Sequence, residues 1–161
     1  MARSPKHFKQ RDQSDCGVTC LYTLIKYYEG EVSLEKLREF SGTSKEGTTL
    51  LGLYQAANQI GLDAEGFEAE IEHLKTLEHP AILHVIIEGK LQHYVVVFGY
   101  ENQKFLISDP AKGIEYITEE ELAKIWRSRA LLLVKPTDRL ERVQEQKGRK
   151  KEWLLSLVRE D

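Results

Sequence analysis

Gln10-Arg11-Asp12-Gln13-Ser14-Asp15-Cys16-Gly17 runs straight into an apolar helical pattern, and its reading decides both the fold and the chemistry of this 161-residue chain. From Cys16 to Tyr28 the side chains Val18, Leu21, Leu24, Ile25 and Tyr28 recur at helical spacing, and Asp15 is a residue type that caps helix starts. Cys16 therefore falls in the first turn of a helix. Unpaired backbone N–H groups and the positive end of the macrodipole there favour thiolate over thiol, the form in which cysteine attacks. Gly17 leaves room for a substrate backbone to come close. A cysteine at a helix start is equally a small buried apolar residue, so the choice between the two readings rests on what lies downstream.

A cysteine nucleophile needs a base, and the base needs a group that orients it. Gln92-His93-Tyr94-Val95-Val96-Val97-Phe98-Gly99-Tyr100 reads as a strand with a histidine at its start. Lys104-Phe105-Leu106-Ile107-Ser108-Asp109-Pro110 reads as the next strand, ending in an aspartate. Joined by the turn-like Glu101-Asn102-Gln103, the two pair antiparallel, which brings the start of the first beside the end of the second. His93 and Asp109 then become neighbours, and the carboxylate can hold the imidazole in one tautomer. Gln10, six residues before Cys16, can supply a side-chain N–H₂ beside the Cys16 backbone N–H to stabilise the oxyanion of a tetrahedral intermediate.

The order Gln, Cys, His, Asp resembles the N-terminal cysteine peptidase domain of peptidase-containing ABC transporters, the bacterial exporters that cut double-glycine leaders from bacteriocins, lanthipeptides and quorum-sensing peptides. The resemblance covers about residues 6–136. It is carried by Gln10, Asp15-Cys16-Gly17, Cys20-Leu21, Pro80-Ala81-Ile82, His93-Tyr94-Val95-Val96 and Asp109-Pro110 in this order and spacing. It implies that Cys16 is the nucleophile, His93 the general base and acid, Asp109 the residue that orients His93, and Gln10 the oxyanion donor. The implied substrate is a precursor peptide whose amphipathic leader helix docks in an apolar groove and is cut after Gly-Gly, Gly-Ala or Gly-Ser. Small residues before the cut imply a narrow tunnel that excludes side chains. Which apolar residues line the groove is left open: Val18, Leu21, Tyr22, Leu53, Tyr54 and Tyr94 are candidates, all equally explained as core. The implied place is the cytoplasmic face of the bacterial membrane, attached to a transporter membrane domain. ATP would be used by the nucleotide-binding part of such a transporter, and this domain itself needs no cofactor.

Length and composition fit one small catalytic domain with a modest core. No run of 18 or more apolar residues is present, as a membrane span requires, and the start, Met1-Ala2-Arg3-Ser4-Pro5-Lys6, lacks the apolar stretch of a secretory signal, which argues for the cytoplasm. The two cysteines, Cys16 and Cys20, lie one helical turn apart, where a disulfide would constrain almost nothing, and two thiols make half a zinc site at best. Cys20 shares a helix face with the apolar stripe and reads as core. With 23 basic against 26 acidic residues, nucleic acid is not the expected partner.

The first half of the chain reads as helix and the second mostly as strand. Ser33 begins a second helix that Gly42 ends; Thr48 or Thr49 opens a third, with Leu50, Leu51, Leu53, Tyr54, Ala57 and Ile60 available for burial and Gly61 at its end. Leu62 to Phe67 is a short strand and Ile71 to Leu77 a short helix. Pro80 introduces the strand Ala81 to Ile87, and Ile114 to Ile117 adds another after the His93 and Asp109 strands. Thr118-Glu119-Glu120-Glu121 is a capping box for a helix through Trp126, and Ala130 to Val134 closes the sheet. Helices followed by an antiparallel sheet make an α+β, papain-like architecture, with Cys16 on one wall of a cleft and His93 on the other.

His73 and His79 read as solvated surface and His84 as a semi-buried strand histidine with a satisfied hydrogen bond. His7 is near enough to reach the active-site region, but the sequence gives it no task. Asp12 and Asp15 are close to Cys16 in sequence, yet a carboxylate beside the thiolate would oppose its ionisation, so Asp15 is read as a cap. Residues 1–136 form the peptidase domain. Residues 137–161 read as a charged linker with the basic cluster Lys147-Gly148-Arg149-Lys150-Lys151 and the apolar run Trp153-Leu154-Leu155-Ser156-Leu157-Val158, a composition suited to a membrane surface. The end at Asp161 without a span is read as a piece of a longer exporter. Two other classes remain open: a non-catalytic docking module, which typically lacks the cysteine, and another papain-like acyl-transfer enzyme, such as an acyltransferase or transglutaminase.

Overall fold

The computed structural model describes residues 3–142. Three helices come first, α1 (Cys16–Tyr27), α2 (Leu34–Ser41) and α3 (Leu50–Gln59). Next in the chain are β1 (Asp63–Glu68), α4 (Ile71–Leu74), β2 (Ala81–Ile87), β3 (Leu91–Glu101) and β4 (Lys104–Asp109). The last three elements among the described residues are β5 (Gly113–Thr118), α5 (Glu119–Ile125) and β6 (Ala130–Lys135). This is the α+β order expected from the sequence, with α4 one short turn where the periodicity predicts a helix to Leu77. Helix ends follow their local chemistry. Ser33 and Thr49 each accept a backbone N–H of the first turn, Thr118 and Glu121 form a reciprocal capping box, and Gly42 closes α2 in the left-handed region at φ 69°.

All strands pair antiparallel in one sheet of order β1-β6-β2-β3-β4-β5. The strand expected to close the sheet, β6, lies inside it, between β1 and β2. The reason is apolar content: Leu131, Leu132 and Val134 are all buried and serve both faces of the sheet, while β1 carries the exposed charges Asp63, Glu65 and Glu68 that suit an edge.

Strand alternation divides the interior into two cores. On one face Ile82, Tyr94, Val96, Leu132 and Val134 meet Leu21, Leu24 and Leu53 of the helices. On the other, Leu83, Val85, Val95 and Val97 meet Phe105, Leu122 and Trp126. Each fully buried leucine contributes about 1.5–3 kcal/mol. Two residues that the periodicity of α3 makes available for burial, Leu51 and Tyr54, are 63% and 42% exposed. They lie on the side of α3 turned away from the sheet.

The packed unit extends past Pro136. Leu140 is buried in the helix-side core, the Thr137 hydroxyl donates to the Gly61 carbonyl, and Glu31 N–H donates to the Glu141 carbonyl at 3.0 Å. The basic cluster and the apolar run expected between 147 and 158 lie outside the described residues. Among the described residues no helix is long and apolar enough to cross a membrane.

The fold places the helix start against the sheet. A Cβ at Gly17 would meet Tyr94 Cδ2 at 3.2 Å, Leu53 Cδ1 at 3.3 Å and Thr48 Cβ at 3.4 Å, so the first turn of α1 presses on β3 and the entry to α3.

Candidate active site

The segment before α1 forms one turn of 3₁₀ helix, Gln13–Asp15, capped by Asp12, whose Oδ1 accepts from Ser14 N–H at 2.9 Å. Asp15 precedes α1 but does not cap it: its side chain makes no bond to the helix start and pairs with Arg38 of α2. The expected cap role of Asp15 is therefore corrected, and the cause is tertiary. A buried carboxylate needs a counter-charge, and the guanidinium supplies a better one than a backbone amide. The consequence is local to Cys16, because the Asp15 carboxylate does not occupy the N–H groups of the first turn of α1.

Cys16 is buried at this helix start, beside His93. The register Val96↔Ser108 between β3 and β4 brings Asp109 to the level of Val95, two residues from His93 and within diagonal reach. The carboxylate uses that reach: His93 Nε2 and Asp109 Oδ1 are 2.8 Å apart and both residues are buried. The imidazole also bonds with the Cys16 thiol. The same Asp109 oxygen accepts Ala111 N–H at 2.8 Å. One imidazole thus lies between a thiol and a fixed carboxylate.

The electrostatics follow from this contact. Burial alone would lower the His93 pKa, but the bonds to Asp109 and Cys16 and their attraction outweigh it, and His93 is pushed up to about 9. Burial alone would raise the Asp109 pKa, but the His93 bond, the Ala111 amide and the Lys112 charge outweigh it, so the carboxyl lies below its ordinary range. At neutral pH the imidazole is a cation and the carboxylate an anion. Cys20, one turn further on, is 1% exposed, and burial, followed by the charges of Cys16 and Asp109, pushes its thiol well above the usual range. It belongs to the core, as its place on the apolar stripe predicts.

Gln10 reaches the same corner through its backbone, N–H donating to the Pro110 carbonyl at 2.8 Å. Its side chain is turned inward, with Oε1 buried and free of a protein partner. The four residues singled out from the sequence thus come from a leading segment, a helix start, and two adjacent strand ends that converge.

A groove of about 430 Å³ opens beside Cys16, lined by Thr48, Leu50, His84, Gln92 and Tyr94 among others. Tyr94 is one of its lining residues: the hydroxyl donates to the Thr48 carbonyl at 2.9 Å, and burial, followed by the nearby thiols, pushes the phenol up to about 12. Sequence reasoning left Tyr94 undecided between groove and core. It shares the helix-facing side of β3 with Val96, two residues on, and that alternation is the available signal. His84 is half-buried and satisfied, as expected, through Ser128 Oγ at 3.1 Å and Gln92 Oε1, but it also lines this groove. His73 is not merely solvated, since its Nδ1 accepts Glu70 N–H at 3.0 Å in the capping box of α4. His79 is half-buried in the turn before β2. Among the described residues no group of three or more His, Cys, Asp or Glu is arranged to hold a metal ion.

Comparison with known proteins bears on this site. The model of the peptidase C39 family matches residues 4–139. The chain is 40% identical over 129 residues to the lactococcin-G-processing and transport ATP-binding protein LagD of Lactococcus lactis subsp. lactis, an alignment covering 79% of this chain and 18% of that protein. It therefore spans less than a fifth of that curated relative's length. Among solved structures, the peptidase domain of Streptococcus ComA superposes with a TM-score of 0.77 at 33% identity, covering 83% of this chain and 100% of that one. A double glycine motif protease from an AMS/PCAT transporter, in complex with the leader peptide, superposes at 0.75 with 33% identity, covering 84% of this chain and 94% of that one.

Proposed function

The chain belongs to the peptidase C39 family of papain-like cysteine peptidases, and from that premise we propose that it removes leader peptides by cutting after a Gly-Gly, Gly-Ala or Gly-Ser motif. The observation that carries the reading is the buried His93 held between Cys16 and Asp109 at the edge of the groove.

In this proposal the Cys16 thiolate attacks the carbonyl carbon of the second small residue, forming an S–C bond and a tetrahedral oxyanion. The Cys16 backbone N–H and the Gln10 carboxamide hold that oxygen. The His93 cation gives its proton to the departing amine as the C–N bond breaks, which leaves a thioester. His93 then takes a proton from water, the hydroxide equivalent attacks the thioester, and the leader leaves as a free carboxylic acid with the thiolate restored. Asp109 keeps His93 in one orientation throughout and offsets its charge.

The tie between the Tyr94 hydroxyl and the Thr48 carbonyl narrows the groove beside Cys16, which favours substrate residues without side chains. Leu51 and Tyr54, exposed on α3 near the groove-lining Leu50, offer apolar area to an amphipathic leader helix. The length of the matched relatives supports a place within a bacteriocin- or lanthipeptide-exporting ABC transporter at the cytoplasmic face of the membrane. ATP then acts elsewhere in that assembly, and the peptide chemistry needs no cofactor.

The test is incubation of the chain and its Cys16→Ala variant with a synthetic leader-core peptide carrying Gly-Gly, read by mass spectrometry. The proposal predicts a leader with a free carboxylate from the native chain and none from the variant, a loss of about 10⁴-fold or more. An amine adduct of the leader would point to acyl transfer. Binding without cleavage by both proteins would point to a docking module.

A further inference from the structure

Two hydrogen bonds from the leading segment grip the corner that carries Asp109. The His7 imidazole bonds through Nε2 to the Asp109 carbonyl at 2.9 Å across 102 residues of sequence, and Gln10 N–H donates to the Pro110 carbonyl at 2.8 Å. A carbonyl can only accept, so Nε2 of His7 carries a proton, and it does so whether the ring is neutral or charged. Apart from the bond between His93 and the carboxylate, the other bonds named at this corner are local: Lys112 N–H donates to the Asp109 carbonyl at 3.0 Å and Ala111 N–H to the carboxylate at 2.8 Å. Local bonds set the shape of the turn. They do not set its place relative to the segment that leads into Cys16, which is what the bonds from His7 and Gln10 do.

We propose that His7 is a positioning residue for the peptidase: by holding the Asp109 carbonyl it sets the aim of the carboxylate at His93, and it keeps the oxyanion donor and the orienting acid on one strap. The proposal rests on the reading of Cys16, His93, Asp109 and Gln10 given above. His7 touches none of the reacting atoms. Its effect passes through the distance between β4 and the leading segment, and a displacement of about 1 Å at a reacting group can cost about 10²-fold in rate. The charged groups facing His93 are Asp109 and Cys16, and Asp109 in turn feels Lys112, so a loosened corner weakens the hold of the carboxylate on the imidazole proton.

The experiment compares the native chain with His7→Ala and His7→Gln, since glutamine can present an N–H at similar reach. It reads kcat and KM on the Gly-Gly peptide, and separately the titration midpoint of the His93 ring by NMR. Expected for His7→Ala are a kcat about 10- to 100-fold lower, a KM within about threefold of native, and a His93 midpoint below the native value of about 9. His7→Gln should recover most of the kcat and the native midpoint. A His7→Ala protein equal to native in kcat and midpoint would overturn the proposal. So would equal losses in both variants accompanied by a lowered Tm. If the native chain leaves the Gly-Gly peptide uncut, the leader-cutting reading fails, while the His93 midpoint still decides the role of His7.

Discussion

Cys16 and Cys20 are the same residue type one turn apart on one helix, and their surroundings give them opposite characters. Cys16 sits at the first turn, which no side chain of Asp15 caps, bonds to His93 and borders an open groove. Cys20 is sealed in the helix-side core, and its thiol is pushed well above the usual range. One turn of helix, about 5.4 Å, separates a candidate nucleophile from a packing residue. Reactivity is therefore a property of where the fold puts the thiol, and each prediction below tests one part of that difference.

Among variants that keep the Cys16 thiol, the largest effect is expected where the base is oriented. Asp109→Ala should lower kcat by about 10²- to 10⁴-fold, because His93 loses both its fixed tautomer and the anion beside its cation. In the native chain kcat/KM should fall as pH rises through about 9, where His93 loses its proton, and in the variant this alkaline limb should move toward the ordinary imidazole value of about 6.5. Stability follows the same pair. His93, with its folded pKa raised, contributes fully below about 6.5 and loses that contribution as pH rises through about 9. Asp109, with its pKa lowered, contributes above the ordinary aspartate range and loses that contribution on acidification. Native Tm should therefore be highest between these limits, and Asp109→Ala should flatten the alkaline side. A variant with native kcat and an unmoved alkaline limb would remove Asp109 from the account.

Next comes the oxyanion. Gln10→Ala should cost about 10²- to 10³-fold in kcat with little change in KM, the signature of a donor used chiefly in the transition state. Steady-state kinetics on the Gly-Gly peptide checks it, and a loss confined to KM would make Gln10 a substrate-binding residue instead.

The smallest effect belongs to the other thiol. Cys20→Ala should leave kcat within about threefold of native while lowering stability by about 1 kcal/mol, read from the Tm, through lost packing. Activity falling as far as in Cys16→Ala would erase the distinction between the two cysteines.

Much of this contrast was legible in the sequence because it is local. Ser33, Thr49 and Thr118 announce helix starts through their own side chains, and the pairing of the His93 and Asp109 strands follows from one short turn. What the sequence did not reveal depends on contacts between distant segments. Arg38 takes Asp15 away from its cap, Thr48 meets Tyr94 across 46 residues, and His7 meets Asp109 across 102. β6 moves to the sheet interior because its apolar residues need neighbours on both faces, a requirement visible only once all the strands compete for places. Leu51 and Tyr54 of α3 stay exposed for a related reason, since periodicity names the apolar positions but not which of them find a surface to cover.

The central claim is that Cys16, and not Cys20, is the nucleophile for a substrate ending in two small residues. Treating the folded native chain with a leader peptide that ends in a Gly-Gly chloromethyl ketone, then mapping the adduct by mass spectrometry, tests it most directly. The account predicts one adduct per chain, on Cys16, with Cys20 modified only after unfolding. An adduct on Cys20 in the folded chain, or a folded chain that stays unlabelled while the unfolded chain reacts at both thiols, would contradict it.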